Sequence, residues 1–395
     1  MSAVTRSKRR LGHANGGKVA DGPSLPYVPA LARPTPPAMT AASLIVDTPE
    51  EAAALELAPL LVRRPLEALL DAHGLGSGEI EATPVGEGHS NITYLIERGD
   101  VEFVLRRPPR PPLPPSAHDV LREARLLSAV EDRDVRTPAV LLTCDDLSVI
   151  GAPFYVMERI HGDVITRDVP ERFSEPEHRR AIASELIDSL VEIHAVDWSA
   201  CGLEGYGKPT GYLDRQLRRF SGLWQHNKTR ELETLDRVTA WLAEHVPESG
   251  PATIVHGDYR LGNTMFAPGL PPRLAAIFDW ELATIGDPLA DVGYLVATYS
   301  EPGDEVDTLF GLNQVTKEPG FPSRDELIAW YEERSGRSMS DLAWYCTLAL
   351  WKSAVFLEGS YKRLLAGTTD DPFFRLLDRG VPELAEQAWR VARGG

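Results

Sequence analysis

Period-two stretches come first in the chain and helical repeats dominate later, and that order sets the expected architecture. "EIEATPV", "NITYLIE" and "VEFVLRR", at 79–85, 91–97 and 101–107, alternate apolar and polar positions and read as consecutive strands. Short turns, "GEGHS" and "RGD", join them, so an antiparallel meander is expected. "SAHDVLREARLLSAVED" then has a helical period, with Ser116 as its cap and Val120, Leu121, Ala124, Leu127 and Val130 along one face. "AVLLT" and "FYVMERI" add two more strands. After Gly162 the pattern is helical over 176–195, 210–227, 232–246, 287–299, 324–335, 341–365 and 382–393. Only "TIVHGD", "TMFA" and "LAAIFDW" look like strands in that half. The fold expected is α+β, with a small, mainly antiparallel, five-stranded lobe carrying one key helix, followed by a larger helical lobe.

Three segments follow from this reading. Residues 1–48 are rich in Gly, Pro, Ala and Ser without hydrophobic period, and are expected to be a disordered tail. Residues 49–158 form the first lobe and 159–395 the second. Thr48 with Glu51 three residues later has the form of a capping box, and Pro59 and Pro65 break the helical stretch that follows. "GHANGGK" in the tail mimics a phosphate-binding loop, but Val19 stands where Ser or Thr is required and no strand precedes it. The Pro-rich "RRPPRPPLPPS" lies between two regular elements and reads as a stiff connection rather than a partner ligand.

Composition narrows the class. The formal charge of −17 argues against nucleic-acid or anionic-membrane binding. No apolar run is long enough for a membrane helix, and the basic N-terminus lacks the apolar core of a secretory signal. Three scattered cysteines suit a reducing compartment and suggest neither disulfides nor a zinc site. A cytoplasmic protein, monomer or homodimer, is expected.

The candidate chemistry lies in "IVHGDYRLGNTMF". Asp258 follows a short strand on a turn that Gly257 permits, and Asn263 comes five residues later. Asp279 follows a second apolar strand, sixteen residues after Asn263, so a hairpin brings Asp279 beside Asn263. An aspartate free to take a proton, next to two hard oxygen ligands for Mg²⁺, is what phosphoryl transfer from ATP to a hydroxyl requires.

"HGDYRLGN", "IFDWE" and "GDPLADV" together resemble the aminoglycoside phosphotransferase and choline kinase family, which has a two-lobed protein-kinase-like fold. The likeness is greatest to the subgroup resembling the kinase-like domain found on some acyl-CoA dehydrogenases, and it covers roughly residues 78 to 365. The resemblance implies Asp258 as catalytic base and Asn263 and Asp279 as magnesium ligands, with weaker, water-mediated help from Glu281. It implies His256, Asp287 and Asp291 as structural groups that orient the catalytic loop and cap the next helix. The second "HGD", at 161–163, has Asp168 rather than Asn five residues after its aspartate and follows "FYVMERI", so 158–162 reads as the hinge. Backbone groups of Glu158 to Ile160 are expected to meet the adenine, with Met157 behind it.

Gly86 and Gly88 of "GEGHSN" allow close approach to phosphate, and Ser90 and Asn91 can donate to it, although a plain hairpin turn fits equally. Arg106 occupies the register where kinases carry a lysine; Glu123 is its expected ion-pair partner. Arg107 is the fallback, but alternation turns it to the opposite face, so its loss is expected to do little. Gly257 replaces the arginine that gathers a phosphorylated activation loop in protein kinases, and seven residues between Asp279 and Asp287 leave no room for such a loop. The acceptor is therefore expected to be a small-molecule hydroxyl, on a hydroxyacyl metabolite or an aminoglycoside-like compound. Glu301, Asp304, Glu305 and Asp307 can meet amines or form a solvated loop, and Trp344, Tyr345, Trp351 and Tyr361 can line the acceptor or fill the core. A catalytically inactive kinase-like nucleotide-binding module is the alternative.

Overall fold

The computed structural model describes residues 4–6, 45–85, 91–111, 113, 118–304, 313–369 and 372–394. The P-loop mimic, Gly86, Gly88, Ser90, Ser116, Glu305 and Asp307 lie outside them. The chain divides into two compact units, Met1–Ala124 with Ala139–Arg159, and Arg125–Pro138 with Ile160–Gly395.

The first unit contains β1 (Val4–Arg6), β2 (Ile45–Val46), α1 (Pro49–Ala53), β3 (Leu61–Val62), α2 (Arg63–Ala72), β4 (Glu81–Val85), β5 (Ile92–Arg98) and β6 (Val101–Arg107). After α3 (Val120–Val130) come β7 (Val140–Cys144), α4 (Leu147–Ile150) and β8 (Phe154–Glu158). Its main sheet runs in the order β1-β7-β8-β6-β5-β4, and every pair in it is antiparallel. The sheet has six described strands rather than the five expected. Val4–Arg6, inside the expected tail, takes up the edge of β7 that the meander leaves unpaired. Ile45–Val46, also in that segment, pairs in parallel with Leu61–Val62, and Asp47 ion-pairs with Arg63 at 2.8 Å. Thr48 and Glu51 form the capping box. The cap of α3 comes from Asp119, whose carboxylate accepts the Arg122 N–H at 3.0 Å.

Along β6 the alternation holds to the last residue. Phe103, Leu105 and Arg107 face the core, among Tyr94, Ile96, Leu142 and Phe154. Arg106 and Val104 face the other way. Arg107, 2% exposed, donates to the carbonyls of Leu60, Pro108 and Ile150. Burial pushes its pKa down to about 10.

The second unit opens with β9 (Asp163–Val164), α5 (Pro176–Ala195), α6 (Tyr212–Asn227) and α7 (Glu233–Glu244). Its strands β10 (Thr253–Val255), β11 (Thr264–Phe266), β12 (Leu274–Ile277) and β13 (Thr284–Gly286) form two small sheets, β10-β13 and β12-β11-β9. They precede α8 (Leu289–Thr298), α9 (Arg324–Ser335), α10 (Leu342–Leu365), α11 (Pro372–Arg375) and α12 (Leu377–Ala392). α10 is apolar on most sides and is packed among α6, α7, α8 and α12.

α12 starts at Leu377, not at 382, and Pro382 lies inside it. Proline lacks the N–H that would bond the carbonyl of Asp378, four residues back. Arg230 supplies the missing donor: Nη1 donates to Asp378 O at 2.7 Å and Nη2 to Leu377 O at 3.0 Å. Nη2 also pairs with the buried Glu358 at 3.0 Å. A proline expected to mark a helix start thus sits one turn in, because a distant guanidinium satisfies the carbonyls.

Arg107 faces away from Arg106 as the alternation requires, but its burial gives it a role in stability. Arg107→Ala leaves three backbone carbonyls without this donor and is expected to lower the unfolding free energy by about 2–4 kcal/mol. Urea denaturation measures this, and a wild-type midpoint would contradict the burial.

Candidate active site

Two short strands set the centre of the site. β10 pairs with β13, Val255 opposite Thr284, and releases the chain into His256, Gly257 and Asp258. Gly257 has φ +89°, and a Cβ there would meet Leu282 Cβ at 2.9 Å, so a larger residue would displace the turn. The turn is held from below by Asp291 of α8. Its Oδ2 accepts the His256 N–H at 2.6 Å and its Oδ1 the Gly257 N–H at 2.8 Å. Behind it, His194 Nε2 lies 3.3 Å from Asp291 Oδ2, and His194 Nδ1 lies 2.7 Å from the Tyr331 hydroxyl. A carboxylate only accepts, so Nε2 carries the proton and Nδ1 accepts from Tyr331.

Burial alone would raise the Asp291 carboxyl. The His194 hydrogen bond, the fields of His194 and His256 and the Gly257 N–H outweigh it and hold the pKa below the usual range. His194 is displaced in the neutral direction, since burial outweighs Asp291.

The His256 ring joins the two functional loops. Its Nδ1 accepts the Asp258 N–H at 3.2 Å, and its Nε2 donates to the Phe278 carbonyl at 2.9 Å, adjacent to Asp279. β11 and β12 pair with Thr264 opposite Ile277, and Phe278 N–H donates to Asn263 O at 2.9 Å. The hairpin therefore brings Asp279 next to Asn263. Asp279 has φ +66°, a left-handed conformation uncommon outside glycine and frequent at functional sites.

Asp258 accepts Asn263 Nδ2 at 2.8 Å, and Arg260 Nε lies 3.7 Å from its other oxygen. Asn263 Nδ2 also donates to the Asp258 carbonyl at 2.8 Å. Both contacts use the nitrogen, leaving the amide oxygen as an available ligand. Tyr294 of α8 hydrogen-bonds the Asp258 side chain; burial first, then Asp258, pushes its phenol well above the ordinary value. Asp287 caps α8 through Leu289 N at 3.0 Å and accepts the Tyr345 hydroxyl at 2.8 Å. Glu281 sits in the short turn Trp280–Leu282.

In the first unit, Arg106 Nε lies 3.0 Å from Oε2 of Glu123, which is 3% exposed, and its Nη1 lies 3.3 Å from Thr93 Oγ1. Asn91 is buried, its Oδ1 3.3 Å from His118 Nδ1. Glu158 ends β8, and its N–H donates to Ala139 O at 2.9 Å. That bond removes this donor from the adenine role expected of it. The chain crosses from the first unit to the second between Arg159 and Ile160. The second "HGD" is structural, with Asp163 paired with Arg172.

Glu301 and Asp304 are half-buried rather than free, and Arg324 holds them at 2.9 and 2.6 Å. Trp344 and Trp351 are core residues whose indoles donate to Leu242 O and Thr239 Oγ1. Tyr361 donates to Asp378 at 2.9 Å. Arg260, Tyr294 and the His194–Tyr331 pair escaped the sequence reading. Arg260 lies within one quoted motif and Tyr294 two residues after another, but only folding shows that they reach Asp258.

The sequence pattern of the Phosphotransferase enzyme family matches residues 81–327. The chain belongs to that family. It is 35% identical over 329 residues to mouse acyl-CoA dehydrogenase family member 10, an alignment covering 83% of this chain and 30% of that protein. The chain thus spans under a third of that relative's length. A solved Ralstonia eutropha protein described as a candidate aminoglycoside phosphotransferase is 32% identical, with TM-score 0.71, covering 84% of this chain and 98% of that one. An aminoglycoside phosphotransferase solved with AMP-PNP and hygromycin B shares the fold at 17% identity and TM-score 0.55, over 84% of this chain and all of that one. The kinase-like α+β fold of the family is therefore the fold of this chain. Among the described residues no helix is long and apolar enough to cross a membrane.

The Asp291–His194 pair has a pH signature. Below the unfolded histidine value of about 6.5, the unfolded chain takes up a proton that buried His194 resists, so stability falls from that pH downward. The Asp291 contribution is present above the unfolded value of about 3.9 and is lost as pH falls through the lower folded value. Urea melts from neutral to acid pH should show both parts, and His194→Gln should remove the first and shrink the second, because His194 helps hold the Asp291 pKa down. An unchanged profile in that variant would assign the decline elsewhere.

Proposed function

We propose that this family member transfers the γ-phosphate of ATP to an alcohol hydroxyl on a small molecule, with Mg²⁺. The observation that carries the reading is the junction of Asp258, Asn263 and Asp279 through one histidine and one hairpin. The nucleotide is supported by the relative solved with AMP-PNP.

The donor set suits magnesium. Among the described residues no group of three or more His, Cys, Asp or Glu is placed to hold a metal ion alone. Magnesium in kinases takes few protein oxygens and completes its shell with water and substrate phosphates. The Asn263 amide oxygen and the Asp279 carboxylate would supply those oxygens. Magnesium bound there would offset charge on the transferring phosphate.

Asp258 orients the acceptor hydroxyl and takes its proton as the oxygen attacks phosphorus. Asn263 and Tyr294 fix the carboxylate rotamer, so the base is aimed before the acceptor arrives. Arg106, held by Glu123, steadies the phosphates. Asn91, with Gly86, Gly88 and Ser90 of the same motif, is assigned to the phosphates on the sequence motif alone, and the backbone of Ile160 with the Glu158 carbonyl to the adenine. The inactive-module alternative has less support, because the base and both ligand residues are retained.

Asp258→Asn should keep nucleotide binding while turnover falls by about 10²-fold or more. Unchanged ADP release in the presence of an acceptor would remove Asp258 from this role. Calorimetry of ATP with and without magnesium should show metal-enhanced affinity in the wild type, and Asp279→Ala should abolish the enhancement. Equal enhancement in both would move the metal elsewhere.

A further inference from the structure

Lys352 lies on α10 seven residues after Tyr345, two helical turns along the same face. Tyr345 is fixed by Asp287 at 2.8 Å, so this face looks towards α8 and the catalytic loop. The Lys352 ammonium lies 4.9 Å from the centroid of the Phe220 ring on α6, and the Arg219 guanidinium carbon lies 5.9 Å from the same ring. Among the described residues neither cation has a hydrogen bond or an ion pair. Several other arginines behave differently. Arg106, Arg136, Arg230 and Arg324 all face carboxylates at 3.0 Å or less.

The surroundings of Lys352 are those of a binding group. Burial pushes its pKa down to about 8; the fields of Asp291 and Asp258 act against that shift and the field of Arg219 adds to it. It therefore remains mainly cationic near neutral pH, close enough to Asp258 to feel its charge. A half-buried ammonium without an anion is costly, and a ligand that brings the anion recovers part of that cost. The acidic groups that could have met amines, Glu301 and Asp304, are already held by Arg324.

We propose that Lys352, with Arg219 beside it, is the acceptor-recognition group, and that the acceptor is an alcohol bearing a carboxylate. The carboxylate is drawn to the two cations while the hydroxyl is presented to Asp258. An amine at the same place meets two positive charges, so polycationic acceptors are disfavoured. The proposal rests on the phosphotransferase reading for the role of Asp258; the cation pair stands independently of it.

The test compares short ω-hydroxycarboxylates with the matching diols and amino alcohols. Calorimetry reads binding to the full chain, and ADP release reads transfer. The wild type should bind a hydroxycarboxylate best. Lys352→Met should weaken that binding on the order of tenfold or more without changing diol binding, and Lys352→Arg should restore part of it. Nucleotide binding and thermal unfolding of each variant establish that it is folded. No carboxylate binding by the wild type at millimolar concentration, or an undiminished carboxylate preference in folded Lys352→Met, overturns the proposal. Carboxylate binding that depends on Lys352 without phosphate transfer would sink the phosphotransferase reading and leave the subsite. Transfer at equal efficiency to all three classes, unchanged in Lys352→Met, would sink the subsite and leave the reading.

Discussion

The candidate site in the second unit hangs on the Asp291 carboxylate. It is fully buried, so its charge is tolerable only because backbone and ring donors surround it. Two of those donors are consecutive N–H groups of the catalytic turn, and accepting both fixes the direction in which Asp258 leaves the turn. The His256 ring carries the constraint onward to the Phe278 carbonyl, and hence to Asp279. One buried anion on a helix thereby sets the spacing between Asp258 and Asp279, the proposed base and the proposed metal ligand, which lie 21 positions apart in the chain. Neutral His194 behind it keeps the anion single and oriented.

Much of this was legible in the sequence. Period two gave the meander, and the helical repeat gave α5 and α9 to the residue. Asp258, Asn263 and Asp279 could be picked out because a strand, a glycine and a short hairpin leave little choice about where they go. Three things were not legible. Strands such as Val4–Arg6 and Ile45–Val46 are too short for a period and exist only because a partner edge is available. The partners of Arg107 and of Glu301 are remote in sequence, so whether each group is buried or solvated could not be read locally. Lys352 looked like any lysine on a long helix; only the packing of α6 shows that, among the described residues, no carboxylate ion-pairs with it.

Arg106 and Arg107 show how one residue of alternation separates two kinds of work. Both carry the same group at the end of the same strand. One meets a carboxylate on α3, while the other is enclosed by carbonyls and holds β3, α4 and the end of β6 together. The planar fork suits the second task because several donors leave it in fixed directions. A lysine there would present a single point charge to three separate acceptors.

The proline in α12 has a consequence for how this sequence can drift. Arg230 and Asp378 are 148 positions apart, yet the carbonyl that Pro382 leaves open is closed by Arg230 alone among the described side chains. Replacing Arg230 first exposes a helix carbonyl and strands the charge of buried Glu358. Replacing Pro382 first costs little, because the restored N–H can share that carbonyl. The two positions are therefore coupled in one direction only: the proline can be lost freely, but it can be gained only in a chain that already carries the arginine.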